Sequence, residues 1–292
     1  MRVSDKTDGD TKLVFDIHSI KRAQETLESF VNDKYSNINK RFTNDFDRNE
    51  SDFAKELVKE IESRQSIEKL FESLEVVFLH VTTSSDECKG QTDEGIYATQ
   101  DIVHRKGSEL YNFLKENNIY IGESNDFIVY QKIKKKIPKR RLKDNNGIHW
   151  ALKTKLGNGA YSDGGISGCY YNKGDYPNVS EMPEILSAIN AAIYDLYNDD
   201  IDLKKSWQAN RDSYALKVEV PFKNVHSDKD RSSTEILEYL LEMAIQVAEQ
   251  TSSCDAQSFL MRISDDIGYV DPDRILETIK YKDLERVAND HC

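Results

Sequence analysis

Residues 75–83 read EVVFLHVTT, and a polar loop leads from them to GIY at residues 95–97. The β-branched and aromatic run from Val76 to Val81 predicts a buried strand. His80 and Thr82 lie two residues apart near its end, so both side chains point to one face of the sheet. Two hydrogen-bonding groups on a rigid element suit the recognition of a ribose or an amide. Alternatively, His80 is simply a histidine whose hydrogen bonds are satisfied at the end of a strand.

The size and composition of the chain are those of a folded globular protein. It has 292 residues, of which 32% are charged and 10% aromatic. No apolar run is long enough to span a bilayer and the first residues are polar, so we expect no membrane partner. The four cysteines lack CxxC spacing, which predicts neither a zinc site nor a disulfide framework. Reduced thiols and a cytoplasmic location are the simplest interpretation.

The net charge of −12 argues against general coating of nucleic acids, but one segment departs from this average. The segment from Lys132 to Lys143 holds eight basic residues and no acidic one. Such a run can neutralise phosphates even on an acidic protein. The residues predicted to bind nucleic acid are Lys134, Lys135, Lys136, Lys139, Arg140 and Arg141. Alternatively, the segment is a solvated loop that balances acidic neighbours.

The hydrophobic pattern changes near residue 74 from helical periodicity to short strands with isolated helices. We therefore expect an N-terminal helical extension over residues 1–73 and a second domain over residues 74–292. Alternation predicts a strand from Tyr214 to Phe222, and helical periodicity predicts a helix from Thr234 to Gln250. Because strands and helices do not alternate strictly, the pattern favours an α+β domain over a doubly wound fold.

Two amphipathic helices are predicted within the first 73 residues. Apolar residues at helical spacing mark the first from Ile17 to Phe42. Ser51 is a suitable N-cap for the second, whose apolar positions run from Phe53 to Phe71. These helices suit either packing on the following domain or docking of a partner. Further along, Pro183 fits the first turn of another amphipathic helix.

Several common catalytic motifs are absent from the sequence, among them the P-loop, GxGxxG, HExxH and GxSxG. The histidines show no metal-ligand spacing, so we expect no metal site. What remains is His80 with Thr82, a glycine- and tyrosine-rich stretch at residues 164–171, and two carboxylates, Glu181 and Glu184, at a helix start. Acidic residues in a first turn are also favoured by the helix dipole alone.

In their order along the chain, these features resemble the ADP-ribosyltransferase-like fold of bacterial toxins and phage-defence proteins. A strand ends in His-x-Thr at residues 80–82, a loop reaches Gly-Ile-Tyr at 95–97, and Pro-Glu-Ile opens a helix at 183–185. A strand ending in Val-Pro at 220–221 and a Pro-x-x-Ile segment at 272–275 follow. The resemblance implies an α+β, mixed-sheet core of that type with NAD as substrate, and leaves the N-terminal helices outside it.

The resemblance also implies a role for individual residues. Glu184 would be the catalytic carboxylate with Glu181 in reserve, and His80 and Thr82 would hold the ribose and carboxamide of NAD. The further residues implied in NAD binding are Tyr97, Tyr170 and Tyr171, with the last two able to stack on the nicotinamide ring. Core packing is the alternative role for these tyrosines.

We therefore expect an NAD-dependent ADP-ribosyltransferase, a toxin or effector that modifies a nucleic acid or a protein. The chain shows no clear Ser-Thr-Ser triplet, and the Glu181-x-x-Glu184 pair does not have the Glu-x-Glu spacing of arginine-modifying members, so arginine is not an expected target. An inhibitory antitoxin or regulatory protein is a further expected partner. The alternatives are an NAD glycohydrolase, in which water attacks the ribose, and a non-enzymatic protein that binds nucleic acid or another partner. A nuclease using His80 and the basic run is disfavoured.

Overall fold

The structure, a computed structural model, describes residues 12–44, 49–137, 147–157, 165–170, 182–225, 231–250, 260–263 and 268–283. Its helices are α1 (Ile20–Val31), α2 (Tyr35–Thr43), α3 (Glu50–Glu62), α4 (Ile67–Ser73), α5 (Lys89–Glu94), α6 (Thr99–Ile102), α7 (Glu109–Glu116), α8 (Gly147–Lys155), α9 (Glu184–Tyr197), α10 (Leu203–Gln208) and α11 (Ser233–Glu249). Its strands are β1 (Leu13–Phe15), β2 (Leu74–Ser84), β3 (Ile96–Tyr97), β4 (Ile119–Ile121), β5 (Phe127–Tyr130), β6 (Ile133–Lys136), β7 (Ser167–Cys169), β8 (Asp212–Pro221), β9 (Leu260–Arg262), β10 (Tyr269–Val270) and β11 (Ile275–Lys280). The predicted α+β class is confirmed.

The largest sheet contains both parallel and antiparallel strand pairs. Its order is β11-β8-β2-β7-β9, and β1 pairs in parallel with the beginning of β2. Strand β7 is antiparallel to β2 at Leu79 and Cys169, and β11 is antiparallel to β8. Two smaller sheets are the pair β10-β3 and the three-stranded β4-β5-β6. The predicted strand from Val76 to Val81 is confirmed as the middle of β2.

One compact unit contains the described residues of 12–77, 221–223 and 231–250. In it, α11 packs against α1 and α3. Ser232 and Glu235 form a capping box that satisfies backbone N–H groups at the start of α11. The largest side chains of its core include Phe15, Leu27, Phe53, Leu57, Ile61 and Leu70. This unit is therefore held together by the apolar stripes of its helices.

The N-terminal helices are shorter than their sequence pattern predicts. The predicted helix from Ile17 to Phe42 is two helices, because Asn32 ends α1 in a left-handed conformation with φ of 56°. The second predicted helix is also two helices, α3 and α4, and Asn49 instead of Ser51 is the N-cap of α3. The Asn49 side chain accepts a hydrogen bond from the backbone N–H of Asp52 at 2.8 Å.

The predicted division of the chain at residue 74 into two domains remains a prediction. The compact units separate in sequence between Val77 and Phe78, within β2, and the first unit also includes α11. Among the described residues, no helix combines the length and the apolar composition needed to cross a membrane.

The second unit contains the described residues of 78–220, 224–225, 260–263 and 268–283. An apolar cluster of this unit includes side chains from α7, α9, α10, β4 and β5. Within it, the rings of Phe113 and Trp207 meet edge to face with their centroids 4.9 Å apart. The buried face of α9 includes Leu186, Ile189 and Ile193. This packing fixes α9, so its first residue, Glu184, has a defined place.

Candidate functional site: a cleft at the end of β2

A cleft of about 330 Å³ lies within the second unit, where β2 ends. Strand β2 contributes residues 80–83 to its wall, and the start of α9 with the preceding residues contributes 182–185. Other lining residues come from α5, β3, α6 and α7, and include Lys155 at the end of α8 and Trp207 in α10. The wall therefore combines apolar surface with charged side chains from several elements, namely Asp86, Glu94, Arg105, Glu109, Lys155 and Glu184.

His80 is held in one orientation by the neighbouring strand. Its Nδ1 lies 2.7 Å from the carbonyl oxygen of Ser167, and since a carbonyl only accepts, Nδ1 donates the hydrogen bond. Burial lowers the pKa of His80 from its ordinary value of 6.5, although the bond to Ser167 acts in the opposite direction. The ring is therefore neutral at pH 7, and Nε2 carries a lone pair that can accept a hydrogen bond from a ligand.

The close approach of β7 to β2 explains this contact. A Cβ atom at Gly168 would collide with the backbone oxygen of Leu79, so the glycine allows Ser167 to reach His80. This is a local reason for part of the glycine-rich pattern that the sequence shows between residues 164 and 171.

The next residues of β2 differ in their exposure. Thr82 is partly buried and lines the cleft. Thr83 is only 5% exposed and its Oγ1 accepts a hydrogen bond of 2.8 Å from the indole Nε1 of Trp207. Thr82 therefore lies directly before a threonine that is fixed to α10.

Glu184 is the first residue of α9, immediately after the N-cap Pro183. Its side chain is 66% exposed and forms an ion pair with Lys155, whose side chain is only 18% exposed. The N-terminus of a helix interacts favourably with a negative charge, so an acidic residue suits this position. Glu184 thus presents a charged group at the wall of the cleft, with a lysine as its partner.

Tyr97 belongs to a group of stacked side chains at the same cleft. The Arg105 guanidinium lies 4.0 Å from the centroid of the Tyr97 ring, and the Tyr269 ring lies 4.7 Å from it. Arg105 also donates to Glu94 at 2.8 Å, and this hydrogen bond raises the pKa of the guanidinium. The result is an aromatic surface with a cation fixed against it.

The structure brings together four of the predicted site residues and leaves others apart. His80, Thr82, Tyr97 and Glu184 all line the cleft. Tyr170 is only 4% exposed and is not among the described residues that form the wall, as the packing alternative expects. Its role towards nicotinamide stays a prediction. Glu181 and Tyr171 lie outside the described residues.

Sequence reasoning missed several charged residues of the cleft, among them Glu109. Glu109 is the first residue of α7, and its Oε1 accepts a hydrogen bond of 2.9 Å from the backbone N–H of Ser85. Arg211 Nε lies 3.5 Å from the same oxygen. In the sequence, Ser108 followed by Glu109 has the pattern of an ordinary helix start, so no signal distinguishes this carboxylate from a dipole-complementing residue. Lys155 and Arg105 carry no sequence signal either.

The basic run is a predicted nucleic-acid interface, and three of the six residues assigned to that interface are described. Lys134, Lys135 and Lys136, which we call the β6 lysines, are all exposed on the edge strand of the three-stranded sheet. Lys134 Nζ lies 3.5 Å from the centroid of the Phe127 ring, and Lys135 Nζ donates to the carbonyl oxygen of Leu196 at the end of α9. Lys139, Arg140 and Arg141 lie outside the described residues.

Two further observations bear on the cleft, one on metal ligands and one on similar proteins. Within the part of the chain that the structure describes, no cluster of three or more histidine, cysteine or acidic side chains is suited to hold a metal ion. No protein-family model matches the chain, and neither a curated protein nor a solved structure is similar enough to count as a match.

Proposed function

We propose that the chain is a cytoplasmic, NAD-dependent ADP-ribosyltransferase of the bacterial toxin or phage-defence type. The observation that carries this proposal is that His80, Thr82, Tyr97 and Glu184, chosen from three separate stretches of sequence, line one cleft. The volume of about 330 Å³ is at the lower end of the range for small-molecule sites. It suits the nicotinamide and its ribose better than the whole dinucleotide.

The polar groups of β2 have the chemistry that this half of NAD needs. His80 Nε2 is an acceptor because Nδ1 donates to Ser167, and it would take a hydrogen bond from a ribose hydroxyl. The Thr82 hydroxyl both donates and accepts, which matches a carboxamide. Both groups are carried by a strand of a sheet, so binding would also orient the ribose for reaction.

Glu184 would act on the bond that breaks. The bond from ribose C1′ to the nicotinamide nitrogen cleaves, its electron pair neutralises the pyridinium, and positive charge grows on the ribose as in glycoside cleavage. A carboxylate nearby stabilises this charge and can take the proton of an attacking hydroxyl as the new bond to C1′ forms. The exposed position of Glu184 lets an acceptor from solution approach it.

Two cations at the cleft would contact the phosphates of NAD. Lys155 and Arg105 line the wall, and each is paired with a carboxylate, Glu184 and Glu94 respectively. Phosphate oxygens compete with these carboxylates for the same cations. Engagement of Lys155 by the pyrophosphate would therefore release Glu184 for the reaction.

We propose a nucleic acid as the acceptor because the β6 lysines are positively charged and exposed. Lys134 and Lys136 project from one face of β6 and Lys135 from the other, and all three are exposed. Lysines of this kind neutralise phosphates with little regard for sequence. A protein acceptor, and inhibition by an acidic antitoxin that contacts the same lysines, are the competing uses of this charge.

Nicotinamide release from NAD tests the proposal. Purified protein is incubated with NAD alone and with RNA, DNA or a protein fraction of cell lysate, and nicotinamide is measured by chromatography. We expect release that depends on an added nucleic acid, with ADP-ribose recovered on that nucleic acid. Release without an acceptor would identify a glycohydrolase, and no release from folded protein in any mixture would contradict the proposal.

A further inference from the structure

A closed ring of contacts anchors the polar end of β2 beside Thr82, and its members Thr83, Glu109 and Trp207 line the same cleft. Trp207 Nε1 donates to Thr83 Oγ1 at 2.8 Å, and Arg211 Nη1 donates to the carbonyl oxygen of Trp207 at 3.1 Å. Arg211 Nε lies 3.5 Å from Glu109 Oε1. The ring closes because that same Glu109 oxygen accepts the Ser85 N–H at 2.9 Å and the Ser85 hydroxyl.

The charged pair in this ring is largely removed from water. The side chain of Arg211 is 13% exposed and that of Glu109 is 24% exposed. The guanidinium also lies 3.7 Å from the centroid of the Trp207 ring. Glu109 Oε2 and Arg211 Nε are fully covered and have no hydrogen-bond partner among the described residues. Each charge therefore depends on the other, and an arrangement of this kind contributes little net stability.

The anchored residues flank the peptide that carries Thr82 on its C-terminal side. Thr83 is the next residue of β2, and Ser85 lies in the bend directly after the strand ends at Ser84. Fixing Thr83 and Ser85 fixes the peptide that carries Thr82. The contacts of Glu109, which itself lines the cleft, and of Arg211 thus act on Thr82 through the backbone at the end of β2.

We propose that Glu109 and Arg211 are positioning residues that hold Thr82 in the orientation required to bind the carboxamide of NAD. This inference rests on the proposed function, because it concerns the same cleft and the same substrate. It adds residues that lie outside every motif in the sequence. It also gives a physical reason for keeping a partly buried ion pair that is of small value for stability.

The test compares kcat and KM for NAD in variants of the ring. Glu109→Gln keeps an acceptor for Ser85 but removes the charge opposite Arg211, and Ser85→Ala removes only a hydroxyl. Glu116→Gln, at the exposed end of α7, is the matched control. We expect the KM of Glu109→Gln to rise about tenfold with kcat within about twofold, because misplaced binding groups weaken substrate and transition state alike. Ser85→Ala should raise KM by about threefold, and Ser85→Thr should restore it.

The outcomes distinguish a positioning role of the ring from a purely structural role. A purely structural ring would lower the fraction of active molecules, which reduces apparent kcat and leaves KM unchanged, and that result would overturn the inference. Unchanged KM and kcat in both Glu109→Gln and Ser85→Ala would overturn it as well. If Glu109→Gln does not fold, Ser85→Ala still decides, since Ser85 is exposed. Absence of nicotinamide release by the wild-type protein contradicts the proposed function, and the inference falls with it.

Discussion

The cleft and the β6 lysines are both marked by polar residues in the sequence, but the structure uses them differently. The cleft gathers His80 and Glu184 from stretches that are far apart along the chain. The β6 lysines are neighbours in sequence and have separate contacts, Lys134 with the Phe127 ring and Lys135 with the last turn of α9. Lysines on an edge strand also prevent pairing with another sheet. Convergence of distant residues is therefore stronger evidence for a site than a local run of charge.

The largest expected effect is that of Glu184→Gln on nicotinamide release. The change removes the charge that would stabilise the ribose cation while keeping the size of the side chain, so we expect a loss on the order of 100- to 1000-fold. Glu184 is exposed, so the unfolding free energy should change by less than about 1 kcal/mol. The control is Glu277→Gln, an exposed glutamate of β11 in the same unit. Full turnover by a folded Glu184→Gln protein would show that Glu184 is not the catalytic carboxylate.

The second effect concerns the buried hydrogen bond from Trp207 to Thr83. A buried bond of this kind distinguishes the cleft from the solvated strand β6. Trp207→Phe or Thr83→Val each leave a buried polar group without its partner, and each should lower the unfolding free energy by about 1–3 kcal/mol. The double variant should lose less than the sum, by about 0.5–3 kcal/mol, because both partners are then apolar. Urea unfolding of the four proteins measures this coupling. Additive losses would show that the hydrogen bond of 2.8 Å contributes nothing of its own.

Much of the fold follows from the sequence pattern, and the differences have local causes. The strand from Val76 to Val81 and the helix near 234–250 are strongly periodic, and both are present within three residues of their predicted bounds. The predicted helix over 17–42 is broken because a single residue, Asn32, adopts a left-handed conformation. Periodicity continues across such a break, since the apolar side chains on both sides still pack inward.

The candidate site is only partly visible in the sequence. His80 and Thr82 stand out because polar groups at the end of a buried strand need a reason. Glu109 and Arg211 do not stand out, since an acid at a helix start and an arginine before a strand are common on any surface. Their closeness depends on how α7 and the chain after α10 pack against β2, and no local pattern reports that packing.

The third expected effect concerns the β6 lysines and the salt dependence of nucleic-acid binding. Replacing Lys134 and Lys136 together by glutamine should reduce the slope of log affinity for nucleic acid against log salt by about 1.4–1.8, from two lost phosphate contacts. The matched control removes two exposed lysines of α3, Lys55 and Lys59. An equal slope in the variant and the wild type would show that Lys134 and Lys136 do not bind phosphates and only protect the edge strand and pack locally.

The smallest expected effect is a pH dependence of stability that originates in the cleft. Because burial lowers the folded-state pKa of His80 below its ordinary value of 6.5, the unfolded chain takes up a proton first as the pH falls. The contribution of His80 is therefore complete above about pH 6.5 and is lost as the pH falls from there towards the lowered folded-state value. His80→Asn keeps an N–H donor for Ser167 but does not titrate, so it should lose less stability than the wild type between about pH 7.5 and 5.5. Urea midpoints at the two pH values measure the difference. Equal losses in both proteins would mean that the ring is as accessible to protons in the folded chain as in the unfolded one, and His80 would then be an ordinary surface histidine and not a fixed acceptor.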